Sequence, residues 1–438
     1  MSSKSIRRCP SVSACGVGLA FALSLFLSSG VLAQDAVRPS LAGEAAAEAR
    51  RQSLDRIPYN LLLGEVRFRV SATAGFEYND NINVAEFNPQ DDFIFRPSAN
   101  LNVLWPVTQL NTLRLDLGLG YAFYANHSED NTNTVLLSPG SQLSFDIFVS
   151  DFRINFHDRF SLQQDPADEP ALSNVVDYGR FENTAGVSVL WDLNKVVVTV
   201  GYDHYNFIST TDAFEYLDRN SEIFMGSVSF AATSTTGVGL EATYVLNRYD
   251  EARGLRQLND SESFNLGAFV ETQLTENLRL RVAGGYQVID FDDDVVFLGL
   301  PSGLNPFADQ DELEDYYANL LITHRINAAI SHQLSIGHES QLGVNSNFIT
   351  LNYIRHSATW NIINRTLLQT EFFYMEADES GGIIDEHFHR YGGALSVGYQ
   401  LTTHVTLGAR YQYTEKDSDA FLRDYTQNRI SLDGTYSF

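Results

Sequence analysis

The side chains best suited to chemistry in this 438-residue chain are its ten histidines and its clustered carboxylates. Glu386-His387-Phe388-His389 sets two imidazoles on one face of an extended segment, as a transition-metal pair would require, but the sequence marks no cysteine and no third ligand beside them. Asp290-Phe291-Asp292-Asp293-Asp294 and Asp309, Asp311, Glu312, Glu314 and Asp315 bracket the longest polar break. Such carboxylates can hold a divalent cation, yet the order lacks the Asp-x-Asx-x-Asx-Gly of an EF-hand loop, and a solvated acidic loop is the plainer expectation. A serine activated by histidine at a membrane surface would make a lipase-like or protease-like barrel, but no spacing singles out such a set. His324, His332 and His338 fall on the apolar phase of neighbouring segments and read as interfacial rings. Gly237-Val238-Gly239 and Gly284-Gly285 lie in extended segments, where glycine relieves crowding. The expectation is a protein with no catalytic residues, no cofactor and no resident metal.

Charge and export narrow the field. Lys4, Arg7 and Arg8 precede an apolar run over 16–32 that closes on Val31-Leu32-Ala33, the layout of a secretory signal cleaved before Gln34. Both cysteines, Cys9 and Cys15, lie within it, so the exported chain is expected to carry no thiol. Removal of residues 1–33 leaves 26 basic against 55 acidic residues, a net charge of −29. Phosphate binding needs a basic surface, so nucleic acid is not expected as a partner.

The elements that must position these residues are strands. From about residue 65 to the last residue, apolar and polar side chains alternate with period two. Val66, Phe68, Val70, Ala72, Ala74 and Phe76 alternate with Arg67, Arg69, Ser71, Thr73 and Gly75, and Ile430, Leu432, Gly434, Tyr436 and Phe438 alternate with Arg429, Ser431, Asp433 and Thr435. The segments reach roughly 9–13 residues, longer than the five or six of a soluble sandwich and right for a tilted membrane strand. After the signal no other run of about 18 apolar residues follows, so a closed barrel is the remaining way to cross a membrane. Trp105, Tyr121, Trp191, Tyr202, Tyr244, Trp360, Tyr391, Tyr399 and Tyr436 near segment ends suit interfacial girdles. Eighteen segments are predicted, the first near 65–78, the third over 112–125 and the last over 428–438, with long and short breaks in alternation. Over 329–375 the pattern fades, because Leu367-Leu368 and Phe372-Phe373-Tyr374 are apolar on both faces. Sixteen strands is the alternative. The expected organisation is a signal over 1–33, a periplasmic tether over 34–64 with a helix-prone Ala42–Arg51, and an all-β transmembrane up-and-down barrel over 65–438 in the bacterial outer membrane.

Gly75-Phe76-Glu77-Tyr78-Asn79-Asp80-Asn81, a first strand ending in Gly-aromatic-x-Tyr-Asx-Asp-Asn before a polar loop, resembles outer-membrane β-barrel porins of the porin-2 type. The resemblance implies a porin-like barrel with no catalytic residues, and several members of that family accompany exopolysaccharide production and export systems. The terminal Phe438 on an amphipathic last strand looks like the signal read by the barrel assembly machinery. Outer-membrane lipids and lipopolysaccharide are the expected surroundings.

On the wet phase, Arg67, Arg69, Arg114, Arg153, Arg279, Arg281 and Arg325 fall close to periplasmic turns, with Arg355, Arg410 and Arg429 on the same face. They form either a basic inner ring that passes anionic solutes or an exopolysaccharide, or one side of a salt-bridge ladder with Asp116, Asp146, Asp203, Glu241, Glu271, Glu371 and Asp433. A passive channel is thus the leading function. A structural or adhesive barrel with a filled lumen and acidic loops is the alternative, and an outer-membrane lipase or protease stands further behind.

Overall fold

The computed structural model describes residues 57–108, 110–250, 260–292, 309–363, 365–382 and 384–438. The signal, the tether as far as residue 56 and the centre of the longest break, with Asp293, Asp294 and Ser302, lie outside the described residues.

Eighteen strands form the wall: β1 Val66–Asn79, β2 Asp92–Pro106, β3 Thr112–Gly120, β4 Gln142–Val149, β5 Phe152–Gln163, β6 Arg180–Asp192, β7 Val196–Ser209, β8 Arg219–Ala231, β9 Thr236–Tyr249, β10 Ser261–Thr275, β11 Leu278–Phe291, β12 Glu312–Arg325, β13 Ile330–Leu342, β14 Phe348–Ile363, β15 Thr366–Glu379, β16 His387–Gln400, β17 Val405–Ser418 and β18 Tyr425–Ser437. Each pairs antiparallel with the next, and β1 pairs with β18 from Ser71↔Ser437 to Asn79↔Arg429, which closes the ring. Closure leaves the ring with no edge strand, the condition for a sheet in lipid. The eighteen-strand count holds through the ambiguous region, where β12 to β16 pair in unbroken succession.

Residues directly opposed across a ladder share a face, so the alternation can be followed around the ring. Phe76, Trp105, Trp191, Leu240, Trp360, Tyr399 and Tyr436 are exposed on the outside. Trp105, Trp191, Trp360, Tyr399 and Tyr436 gather towards the short-turn rim, and Tyr202, Phe224 and Tyr244 make a row of mutually tilted rings towards the other, with ring centroids 5.3 and 6.4 Å apart. The apolar doublets of β15 are explained by the inside of the barrel: Leu367 is buried there, and Phe373 lies 5.3 Å beneath the Arg390 guanidinium.

Three boundaries differ from the periodicity. Strand β3 ends at Gly120, and Phe123–Tyr124 pairs back onto β2 as a separate two-residue strand. The segment given to the tether ends in a strand of its own, Leu61–Leu63, which turns at Gly64 in the left-handed region (φ +65°) and pairs with Val66–Phe68. It occupies the ladder edge that β18 leaves open below Ser71, and Asn60 bonds both backbone groups of Val70. Several strands also run further outward than their alternation suggests, β15 to Glu379 and β17 to Ser418. About 14 residues at ~3.3 Å rise, tilted ~45°, reach roughly 30 Å, beyond the apolar band of about 25 Å. Above that band the outer face carries polar residues and the periodicity disappears, although the ladder continues.

Candidate functional site

All seven arginines of the predicted ring point into the barrel. Arg67 and Arg114 both oppose the buried Leu104 across β2, and Arg69 opposes Asn102. Of the seven, Arg153 meets Asp146 at 3.0 Å, Arg279 meets Glu271 at 3.6 Å and Arg281 meets Glu241 at 2.6 Å, and on the same face Arg410 meets Glu371 at 2.8 Å. The Arg67 guanidinium lies 5.7 Å from the Tyr59 ring. Arg69, Arg114 and Arg325 form no ion pair with a carboxylate among the described residues, and Arg114 and Arg325 are exposed to the lumen. Ion pairing thus takes up some of the inward arginines and leaves others without a carboxylate partner among the described residues.

The wall around Arg281 is built closely. Its guanidinium lies 5.1 Å over Phe269, and Tyr317 donates its hydroxyl to Glu241 at 3.0 Å. A Cβ on Gly239 would fall 2.4 Å from the Phe269 ring, and one on Gly267 would fall 2.0 Å from the Tyr317 hydroxyl. Gly239 gives room to an inward side chain, as its place on a strand suggested, and Gly267, which the sequence did not single out, does the same.

At the long-loop end the mouth is crossed by chain. The break after β5 turns inward at Asp165, whose carboxylate accepts from the Ala167 N–H at 3.0 Å and caps the short 3-10 turn Pro166–Asp168. The same carboxylate accepts from Arg429 Nη2 at 2.8 Å, and Arg429 also donates to Glu77 at 3.0 Å. Arg96 reaches Glu77 at 3.2 Å. Further along, Arg390 donates to the Ala167 carbonyl at 2.6 Å, and Arg423 donates to the Ala171 carbonyl. Arg423 is itself held at 2.8 Å by Glu386, whose other oxygen lies 2.8 Å from the fully buried Lys416 Nζ.

Apolar packing completes the bridge. Ala171, Leu172 and Tyr178 of this loop, Phe214 and Leu217 of the 3-10 turn after β7, and Val344 from the break after β13 are buried together against Phe207, Ile349, Met375, Ala377 and Phe388 of the wall. Tyr216 donates to the Val344 carbonyl at 3.0 Å, tying two loops directly. Strands β7 and β15 stand eight places apart in a ring of eighteen, nearly diametric, so this cluster spans the mouth from wall to wall. Sequence reasoning missed it. Its signal was the run Ala171-Leu172, Val175-Val176 and Tyr178 in a break that also carries Asp165, Asp168, Glu169 and Asp177.

The bridge sets the titration of its own acids. Burial raises the Asp165 carboxyl, but the Arg429 and Arg96 charges outweigh it and hold it down at about 2. Burial, then the Asp165 charge, push Asp168 up to about 6, against only partial relief from Arg180. Of the acids around the longest break, Asp309 accepts from the Asn347 N–H at 2.7 Å and the Ser380 hydroxyl at 2.6 Å. Asp315 lies 3.0 Å from His338 and accepts from Ser340 at 3.1 Å. Both are thus engaged by protein groups. Of the histidines on the apolar phase, His324 Nδ1 lies 3.1 Å from His332 Nε2, with the His356 ring 5.5 Å from that of His332, and His338 stacks 4.2 Å from the exposed Tyr316 ring.

A closed eighteen-strand ring, apolar and aromatic outside, charged inside and crossed by loops at one mouth, is a porin-like barrel of the bacterial outer membrane. No helix among the described residues is long and apolar enough to cross a membrane. The chain belongs to the family described as "Putative beta-barrel porin 2", which matches residues 62–298. Among solved structures it is similar to OccK2 (OpdF) of Pseudomonas aeruginosa in complex with glucuronate, with 8% identity over 86% of this chain and 100% of that one and a TM-score of 0.47. It is also similar to OccK5 (OpdH) of the same organism, with 10% identity over 86% and 99% and a TM-score of 0.45. OccD3 (OpdP) gives 11% identity over 86% and 92% and a TM-score of 0.44. No curated protein matches it in sequence.

Proposed function

We propose that the barrel is a loop-restricted passive channel for small anionic solutes, with Arg67, Arg69, Arg114, Arg153, Arg279, Arg281 and Arg325 as its inner charge ring. The observation that carries this reading is the state of Arg69, Arg114 and Arg325, inward cations without a carboxylate partner among the described residues. Rings of fixed charge set the selectivity of a pore, and the paired arginines contribute less because their acids cancel them. The bridge across the mouth favours small solutes over a polymer, since an exopolysaccharide chain would need Arg429, Arg390 and Arg423 to release the loop. A structural or adhesive barrel is the second reading, favoured by the apolar cluster that joins opposite walls. Recognition by the barrel assembly machinery through Phe438 belongs to the same proposal. Phe438 is exposed at the rim, with its N–H donated to the Val70 carbonyl at 3.2 Å.

The test is current through the purified protein in a planar bilayer under a salt gradient. Replacing Arg69, Arg114 and Arg325 together with Gln should move the reversal potential towards cation selectivity. A conducting variant of unchanged selectivity removes the anion reading, and a wild type that carries no current transfers support to the filled-lumen barrel.

A further inference from the structure

The outer wall carries a second cluster, unconnected to the lumen. Strand β16 begins His387-Phe388-His389, and its alternation sends Phe388 into the buried bridge while both imidazoles face outward. Across the ladder His387 opposes Asp378 and His389 opposes Glu376. Glu376 and Asp378 alternate with the inward Met375 and Ala377, so they share that outer face. The sequence showed the two imidazoles; only the register supplies the carboxylates, Glu376 and Asp378, eleven and nine residues before His387.

The geometry points to a binding site for a transition-metal dication of the Zn2+, Cu2+ or Ni2+ class, with His387, His389 and Glu376 as ligands. One ligand atom from each of the three lies within 4.8 Å of the others. That separation is close enough for small rotamer adjustments to bring them to bonding distances of about 2.0–2.2 Å around one ion. Each imidazole is already oriented through Nδ1: His387 by Asp378 Oδ1 at 2.5 Å, His389 by the Tyr374 hydroxyl at 3.0 Å. The Nε2 atoms are left to ligate, and a carboxylate behind a ligating histidine fixes the ring and raises its basicity. The Glu376 carboxylate has no hydrogen bond or ion pair among the described residues. An imidazole pair with one carboxylate suits borderline dications and not Ca2+ or Mg2+, which take oxygen shells. The site lies towards the long-loop end of β15 and β16, and all three ligand residues are partly exposed, so water and ions have access. Three protein ligands leave an outward coordination position for water or an external donor.

The experiment uses the full-length barrel in detergent micelles, its fold checked by heat-modifiable gel mobility. Titration with Zn2+ near neutral pH should show one equivalent taken up, with affinity reduced by about tenfold or more in Glu376→Gln and in His389→Gln. Asp378→Asn, which leaves all three ligands, should weaken binding by about 10- to 100-fold, as loss of an orienting partner does. Cu2+ bound to the wild type should show hyperfine coupling to two imidazole nitrogens by electron paramagnetic resonance, and to one in His389→Gln. Uptake should fall as acid protonates the imidazoles. The site is refuted if the folded wild type takes up no stoichiometric metal, or if Glu376→Gln and His389→Gln bind as tightly as it does with an unchanged spectrum.

Discussion

Replacing Asp168 with Asn should tighten the bridge across the mouth at neutral pH and flatten its pH dependence. Asp168 sits in the bridge beside Asp165, and desolvation there together with the Asp165 charge raises its pKa from 3.8 to about 6. Below about pH 4 the group is protonated whether the loop is docked or released, and it imposes no penalty. Between about 4 and 6 the released loop ionises first, so release is favoured progressively, and above about 6 the full penalty stands. About two pKa units correspond to about 3 kcal/mol. The side chain keeps 27% exposure, which lowers the expected value to about 2 kcal/mol, or roughly 30-fold in the opening equilibrium. Asp165 does not confuse this window, because its depressed pKa of about 2 costs docking strength only as pH falls from 3.8 towards 2. Glu169 and Asp177 are raised by burial too and bend the wild-type curve the same way, so the quantity to read is the difference between variant and wild type. Amide hydrogen exchange over residues 164–179, corrected for intrinsic rate and measured at pH values from about 5 to about 8, gives the opening free energy directly. Equal protection in Asp168→Asn and wild type across that range would refute the account of how this loop is held.

Three further outcomes follow from the same structure. The protein should migrate differently on gels before and after boiling, because a closed ladder resists detergent until heated; identical mobility would contradict the closed ring. Leu240→Arg, at a side chain 62% exposed on the outer face of β9, should cost up to about 4 kcal/mol of barrel stability in lipid, whereas a cost near zero in urea titrations from vesicles would place that face away from the bilayer. An epitope inserted at Ser302, between β11 and β12, should be labelled on intact cells, and labelling only after lysis would invert the barrel.

The sequence by itself determined the wall. Period-two alternation in segments of membrane length has one solution in lipid, since every backbone group must be bonded and no edge left free. That is why the eighteen strands, the outward tryptophans and tyrosines and the inward arginines were legible without coordinates. Legibility stopped where the bilayer stops. Above the apolar band both faces of a strand can be polar, so the extensions to Glu379 and Ser418 leave no periodic trace. The tertiary structure alone decided which inward arginines are neutralised: Arg281 meets Glu241 from the strand next but one, while Arg69 and Arg114 meet no acid among the described residues. It also decided that Asp165 reaches Arg429, 264 residues away in sequence, and that Glu376 stands opposite His389. Both are products of ring closure and strand register. Those follow from how all eighteen strands pair at once, whereas the face of a single strand follows from its own residues.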